Sequence, residues 1–134
     1  MKAYISISYD KRKNLYKELH AIIDVLTDFN IEPFIFVDTY KFSINQEKQM
    51  MQQAFADIDS SDFVIAETSD KAIGIGVEVG YAIAKQKPVI YLRKNKAEHS
   101  TTVSGASTYQ IIYDGISNLK QQLKNSVTDV LKSR

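Results

Sequence analysis

One stretch of this chain carries the residue types that could do chemistry: Asp62-Phe63-Val64-Ile65-Ala66-Glu67-Thr68-Ser69-Asp70-Lys71-Ala72-Ile73-Gly74-Ile75-Gly76-Val77-Glu78-Val79-Gly80-Tyr81-Ala82. It holds three of the five glycines, Gly74, Gly76 and Gly80. Gly-x-Gly after a strand lets backbone approach a ligand closely, and the helix that follows offers unpaired N–H groups and the positive end of its dipole. Glu78 is expected within the first turn or so of that helix. A carboxylate there is expected to be held ionised at neutral pH, which is the state a nucleophile requires. The competing reading is that a glutamate near a helix start merely complements the dipole, and a lone Gly-x-Gly names no ligand. The run is not a dinucleotide fingerprint, because its third glycine stands four residues after the second and it follows the third strand instead of the first. It also lacks the Gly-Lys-Ser/Thr ending of a phosphate-binding loop.

Strands and helices elsewhere must hold that stretch in place. Tyr4-Ile5-Ser6-Ile7-Ser8 alternates, which predicts a first strand over 2–8. Leu15, Leu19, Ile22, Ile23, Leu26 and Phe29 share one helical face, so a helix should end near Asn30. Phe34-Ile35-Phe36-Val37, behind Pro33, is expected as a second strand covered on both faces. Ser43-Ile44-Asn45-Gln46 has capping-box spacing and opens a helix through Met50, Met51, Ala54, Phe55 and Ile58. A strand over 63–66, a helix over 75–85, strands over 88–92 and 109–113 and a closing helix from Ile116 to Leu131 complete the series. The alternation implies right-handed crossovers and a doubly wound, Rossmann or flavodoxin-like α/β fold: a five-stranded parallel sheet with helices on both faces. Such sheets bind ligands beyond the carboxyl ends of their strands, where strand order reverses. The loops to inspect are therefore 6–12, 38–43, 67–76 and 93–105.

Composition narrows the classes. The 134 residues, 44% apolar and 25% charged, fit one domain over 1–134. With no cysteine, thiol catalysis, disulfides and thiolate metal sites are removed together. A net charge of +1 provides no bulk field for a nucleic acid polymer or an anionic membrane, so an anion must be met by a local site. No apolar run approaches the roughly 20 residues of a membrane span, and the chain opens on a strand-like segment instead of a signal peptide. A cytoplasmic location is expected.

The run from Asp62 through Ala82, continued by Lys87-Pro88-Val89-Ile90, resembles the signature of the nucleoside 2-deoxyribosyltransferase superfamily, and within it the 2'-deoxynucleoside 5'-phosphate N-hydrolases. That pattern is an aspartate, an apolar strand ending in Ala-Glu, a short loop, Gly-x-Gly-x-Glu-x-Gly-x-Ala and Lys-Pro-Val. The resemblance implies a retaining displacement at the anomeric carbon of a nucleoside or its 5'-monophosphate, with Glu78 as nucleophile and no metal or cofactor. Water then releases the sugar in a hydrolase, and a second base accepts it in a transferase. The chain departs from the pattern at two places. Ala72, preceded by Lys71, stands where the hydrolases use a serine for the 5'-phosphate, leaving Lys71 or Ser69 to substitute. Ala54 stands where the family places the aspartate that assists the leaving base, and Asp57, Asp59 and Glu47 lie out of register. These losses support a second reading, a non-catalytic nucleotide-binding or sensing domain.

The resemblance extends to His99-Ser100-Thr101-Thr102-Val103-Ser104-Gly105-Ala106, which is similar to a hydrolase loop whose serine reaches a neighbouring subunit's phosphate. Ser100 takes that serine's place, with His99, Thr101 and Thr102 beside it as anion contacts. A homodimer or higher homo-oligomer, in which loop 93–105 completes a neighbour's site, is implied. An ordinary polar loop is the alternative. Ser6, Ser8 and Tyr9 of the first loop are candidates for sugar or base contact, although a turn capped by Ser8 or Asp10 explains them too. Asp38 and Tyr40 could meet a base. Lys11-Arg12-Lys13 reads as a solvated helix start, His20 as a packed or solvent-facing imidazole, and Met50-Met51 as core or subunit interface.

Overall fold

The computed structural model describes residues 1–9 and 12–134. Asp10 and Lys11, expected as a cap and part of a basic helix start, lie outside the described residues, as does the side chain of Arg12. Five strands, β1 (Lys2–Ile7), β2 (Glu32–Ile35), β3 (Phe63–Glu67), β4 (Val89–Lys94) and β5 (Tyr109–Tyr113), form one sheet in the order β2-β1-β3-β4-β5, with every pair parallel. The helices are α1 (Tyr16–Asp28), α2 (Phe36–Thr39), α3 (Glu47–Asp59), α4 (Ile73–Ala84), α5 (Thr101–Ala106) and α6 (Ile116–Lys132). This is the doubly wound α/β fold the alternation predicted. Its strand order reverses between β1 and β3, so a ligand crevice belongs at Ile7 and Glu67, the carboxyl ends of those strands.

The two-residue period of a strand divides the core into two layers. Ala3 and Ile5 of β1, with Phe63, Ile65, Ile90, Leu92 and Ile111, face Leu19, Ile22, Val25 and Leu26 of α1 and Leu119, Leu123 and Val127 of α6. Tyr4, Val64, Ala66 and Val89 face Ile58 of α3 and Ile75, Val79 and Ala82 of α4. Ser6 shares the parity of Tyr4, so both hydroxyls lie on the α3/α4 side.

Two expected elements differ. The second strand covers Glu32–Ile35 instead of 34–37, and at Phe36 the chain turns into α2. β2 is the sheet edge and its apolar residues are only half-buried, so the apolar run is shared between an edge strand and the wall of a cavity. Pro33 fits an edge strand because it has no N–H to give. Segment 93–105 is not a plain loop: β4 runs on to Lys94, and Ser100 caps α5 by accepting from the Val103 amide at 3.2 Å. The Ser43–Gln46 capping box forms as expected, with the Ser43 amide donating to Gln46 Oε1 at 2.9 Å. Among the described residues no helix is long and apolar enough to cross a membrane.

Candidate active site

The signature's members divide by task once the chain is folded. Asp62 accepts from the Lys2 amide at 2.8 Å and joins the starts of β1 and β3. The Lys87 ammonium donates to the Ser61 carbonyl at 2.7 Å and the Asp59 carbonyl at 3.1 Å. Glu67, fully buried at the end of β3, accepts from the Ser69 amide and from the Tyr113 hydroxyl, both at 2.6 Å. Burial pushes its carboxyl up, and those donors work against the shift. All three hold the scaffold.

Of Asp62, Glu67 and Glu78, only Glu78 lines the cavity at the strand-order reversal. α4 begins at Ile73, with extended Ala72 before it, so Glu78 is the sixth helical residue and lies in the second turn. The dipole acts within the first turn, so the expectation that it holds Glu78 ionised is corrected here. Two hydroxyls from β1 do that work. Ser6 Oγ donates to Oε1 at 2.6 Å, and the buried Tyr4 hydroxyl donates to Oε2. Burial pushes the Glu78 carboxyl above the usual range, and the Ser6 and Tyr4 bonds pull it back part of the way. The same burial and the adjacent Glu78 push the Tyr4 hydroxyl far upward, so it remains a donor. An ionised carboxylate has about four lone-pair sites, so two remain to attack an electrophile.

The cavity beside Glu78 encloses about 250 Å³. Ile7, Ser8 and Tyr9 follow β1; Phe36 and Val37 follow β2; Met50, Met51 and Ala54 come from α3; Ala72, Gly74 and Ile75 come from the start of α4. It shares lining residues with two neighbouring cavities. One, of about 330 Å³, shares Ala72 and Ile75 and adds Lys71, Gly76 and Ser100. The other, of about 610 Å³, shares Tyr9, Phe36, Val37 and Met50 and adds Asp38, Tyr40, Lys41 and Phe42. A Cβ on Gly74 would meet nothing within 4 Å, whereas one on Gly76 would touch Val103 of α5 at 4.0 Å. No described glycine has positive φ. Glycine at position 74 therefore leaves room at the cavity wall instead of relieving the backbone.

Several expected site residues are used differently. Ser6 holds Glu78, and Ser8 and Tyr9 line its cavity. Ser69 does not reach it, because its hydroxyl accepts from the Lys94 amide at 2.9 Å and binds the loop to β4. The Lys71 ammonium is paired with Glu98 at 2.9 Å, an exposed ion pair that an anion could displace. His99 packs edge-on against Tyr91, whose hydroxyl lies 3.1 Å from Nδ1, and it lines none of these three cavities. Thr101 and Thr102 are exposed in α5 and line none of them either. Ser100 lines the Lys71 cavity while capping its own helix. His20 is exposed with its ring against Tyr16, as expected. Met50 and Met51, expected in the core or an interface, line the cavity and are half-buried. Sequence reading missed Tyr4, although its i, i+2 relation to Ser6 was the signal. Among the described residues no three acidic or imidazole side chains converge as a metal ion would need.

A nucleoside 2-deoxyribosyltransferase family model matches residues 6–127. The chain belongs to that family. No curated protein sequence matches it. Among solved structures, a Clostridium botulinum CMP N-glycosidase superposes with a TM-score of 0.67 at 20% identity, over 93% of this chain and 99% of that one. A Bacillus psychrosaccharolyticus 2-deoxyribosyltransferase superposes at 0.68 with 14% identity, over 90% of each chain. A conserved Enterococcus faecalis protein superposes at 0.61 with 14% identity, over 100% of this chain and 98% of that one. At these identities the likeness is one of fold. As a member of the family, the chain is an enzyme built around an N-glycosidic bond. Within that frame Ala54 is notable: it is fully buried and lines the Glu78 cavity with a methyl group. Asp59 is bound by the Tyr81 hydroxyl at 2.9 Å, and Glu47 is exposed at the start of α3.

Proposed function

We propose that this protein cleaves the N-glycosidic bond of a nucleoside or its 5'-monophosphate in two steps, with Glu78 as the nucleophile. The observation that carries the reading is the Glu78 carboxylate, aligned by the Tyr4 and Ser6 hydroxyls beside a cavity at the strand-order reversal. In the first step a Glu78 oxygen bonds to the anomeric carbon as the C–N bond breaks, through an oxocarbenium-like transition state. In the second, water or an acceptor base takes the sugar and the carboxylate is restored. The aromatic chamber suits a base, and the Lys71–Ser100 cavity suits a 5'-phosphate. Chromatography of products from a mixed panel of nucleosides and 5'-nucleotides, with and without an acceptor base, tests the reading. An intact panel would sink it, and activity surviving in Glu78→Ala would remove the nucleophile.

A second reading, a binding or sensing domain without turnover, is favoured by one observation, the apolar wall at Ala54. Calorimetric affinity without product would select it. The proposed assembly is a homodimer or higher homo-oligomer in the cytoplasm, with segment 93–105 reaching a neighbour's site. Its support is the uncharged outer side of α4, where Ile73 is 90% exposed. A strict monomer by sedimentation at micromolar concentration would remove that role for Ser100.

A further inference from the structure

A base must be recognised before it leaves, and the chamber beside the Glu78 cavity holds a hydroxyl that is fixed in one role. Tyr40 follows α2 and is half-buried, with its ring centroid 5.2 Å from that of Phe36 and 5.7 Å from that of Phe42. All three rings line the chamber of about 610 Å³. This chamber and the central cavity share Tyr9, Phe36, Val37 and Met50, so a base whose sugar stands at Glu78 has the chamber open to it.

Helix α3 supplies two partners for the Tyr40 hydroxyl. Asp57, which is buried, accepts its proton. Gln53 donates to Asp57 Oδ1 at 3.2 Å and also to the Tyr40 oxygen. Burial and the Asp57 carboxylate push the hydroxyl above its ordinary value and Gln53 works against the shift, so Tyr40 keeps its proton and gives it to Asp57. A phenolic hydroxyl that is free to turn serves a donor or an acceptor equally well. With its proton committed to Asp57 and one lone pair to Gln53, the Tyr40 oxygen can only accept.

We infer that Tyr40 is a specificity residue that accepts a hydrogen bond from the base, selecting an exocyclic amino group, as in cytosine or adenine, over the keto oxygen of uracil or hypoxanthine. The inference rests on the N-glycosidase reading above. The amino group stands on the edge of the base far from the glycosidic nitrogen, so it leads the base into the chamber. A keto oxygen in its place would meet the Tyr40 oxygen lone pair to lone pair and leave both unpaired. Stacking on the aromatic rings makes no such choice, because every base has a π-face.

The test compares kcat/KM for cytidine against uridine and adenosine against inosine, as nucleosides, 5'-monophosphates and 2'-deoxy forms, in the unaltered protein and in Tyr40→Phe, which keeps the ring and removes the oxygen. The amino member of each pair is expected to be cleaved about tenfold faster or more, and Tyr40→Phe should bring each pair to within about threefold, chiefly by slowing the amino member. A substrate series probes the same contact without altering the fold. N6,N6-dimethyladenosine, with no amino N–H left, should fall to the inosine rate, and N6-methyladenosine, which keeps one, should stay near adenosine. Keto members cleaved as fast as amino ones, or dimethyladenosine cleaved at the adenosine rate, would overturn the inference and leave the N-glycosidase reading standing. So would a preference that survives in folded Tyr40→Phe, since it would belong to another lining residue such as the exposed Asp38 or Lys41. No cleavage of any member would overturn both.

Discussion

The two sides of the sheet are built to different rules. On the α1/α6 side, aliphatic residues from the strands meet Leu19, Ile22, Val25, Leu26, Leu119, Leu123 and Val127, and the carboxylate at the end of that layer, Glu67, has both oxygens bonded. On the α3/α4 side the apolar layer is interrupted by Tyr4, Ser6 and Glu78, by the buried carboxylate of Asp57 and by a cavity of about 250 Å³. Each interruption costs stability: a void forfeits dispersion contacts, and a buried carboxylate is dehydrated. Stability is concentrated on one side and the proposed chemistry on the other.

Substitutions that separate the sides should behave oppositely. Glu78→Ala is expected to lower kcat/KM by at least about 10³-fold, because the intermediate can no longer form, with little change in melting temperature. A loss below tenfold in initial-rate assays would break the assignment. Leu123→Ala should do the reverse, costing about 2–5 kcal/mol in urea unfolding while kcat/KM of the folded protein holds. Loss of catalysis in proportion to stability would show the two sides to be coupled.

Tyr4→Phe keeps the ring, which stacks on Phe34 at 5.9 Å, and removes only the donor to Glu78. A drop of about tenfold to 100-fold is expected, roughly the value of a lost hydrogen bond to a charged group. That donor lowers the Glu78 pKa, so its removal should move the acid limb of the pH–rate profile to higher pH. An unmoved limb would mean that Tyr4 does not control the carboxylate. The smallest effect expected is on melting temperature, in Glu78→Gln. Glu78 titrates higher folded than unfolded, so its favourable contribution is complete below the ordinary glutamate value of about 4.3 and is lost as pH rises through the folded value. The amide should therefore raise the melting temperature at pH 8 and do so less toward pH 4, which calorimetry at the two pH values would measure.

How much the sequence disclosed follows the same division. The strand–helix alternation was legible because strands buried on both faces and one-faced helices write strong periods, and Glu78 was legible because glycines and an acid after a strand are unusual. The site's walls were not. Met50, Met51, Phe36 and Val37 are apolar residues at an opening, and apolar residues read as core whether or not a cavity stands in front of them. Ser69 and His99 misled for the opposite reason, since polar side chains in a loop read as ligand contacts although the Lys94 amide and Tyr91 take them. Tyr4 shares the face of Ser6, but that relation gained meaning only with a fact outside the segment, that α4 crosses the same face of the sheet.

The chamber beside Glu78 hangs from β2, a four-residue edge strand paired on one side only, while Ser6 and Tyr4 stand on β1, between two neighbours. A lineage could rewrite Phe36 through Phe42 to accept a different leaving group with few consequences for the rest of the molecule. It could not move Tyr4 without disturbing both layers. Selectivity in this architecture is cheap to change and reactivity expensive, so descendants of one such gene should diverge in what they cleave long before they diverge in how.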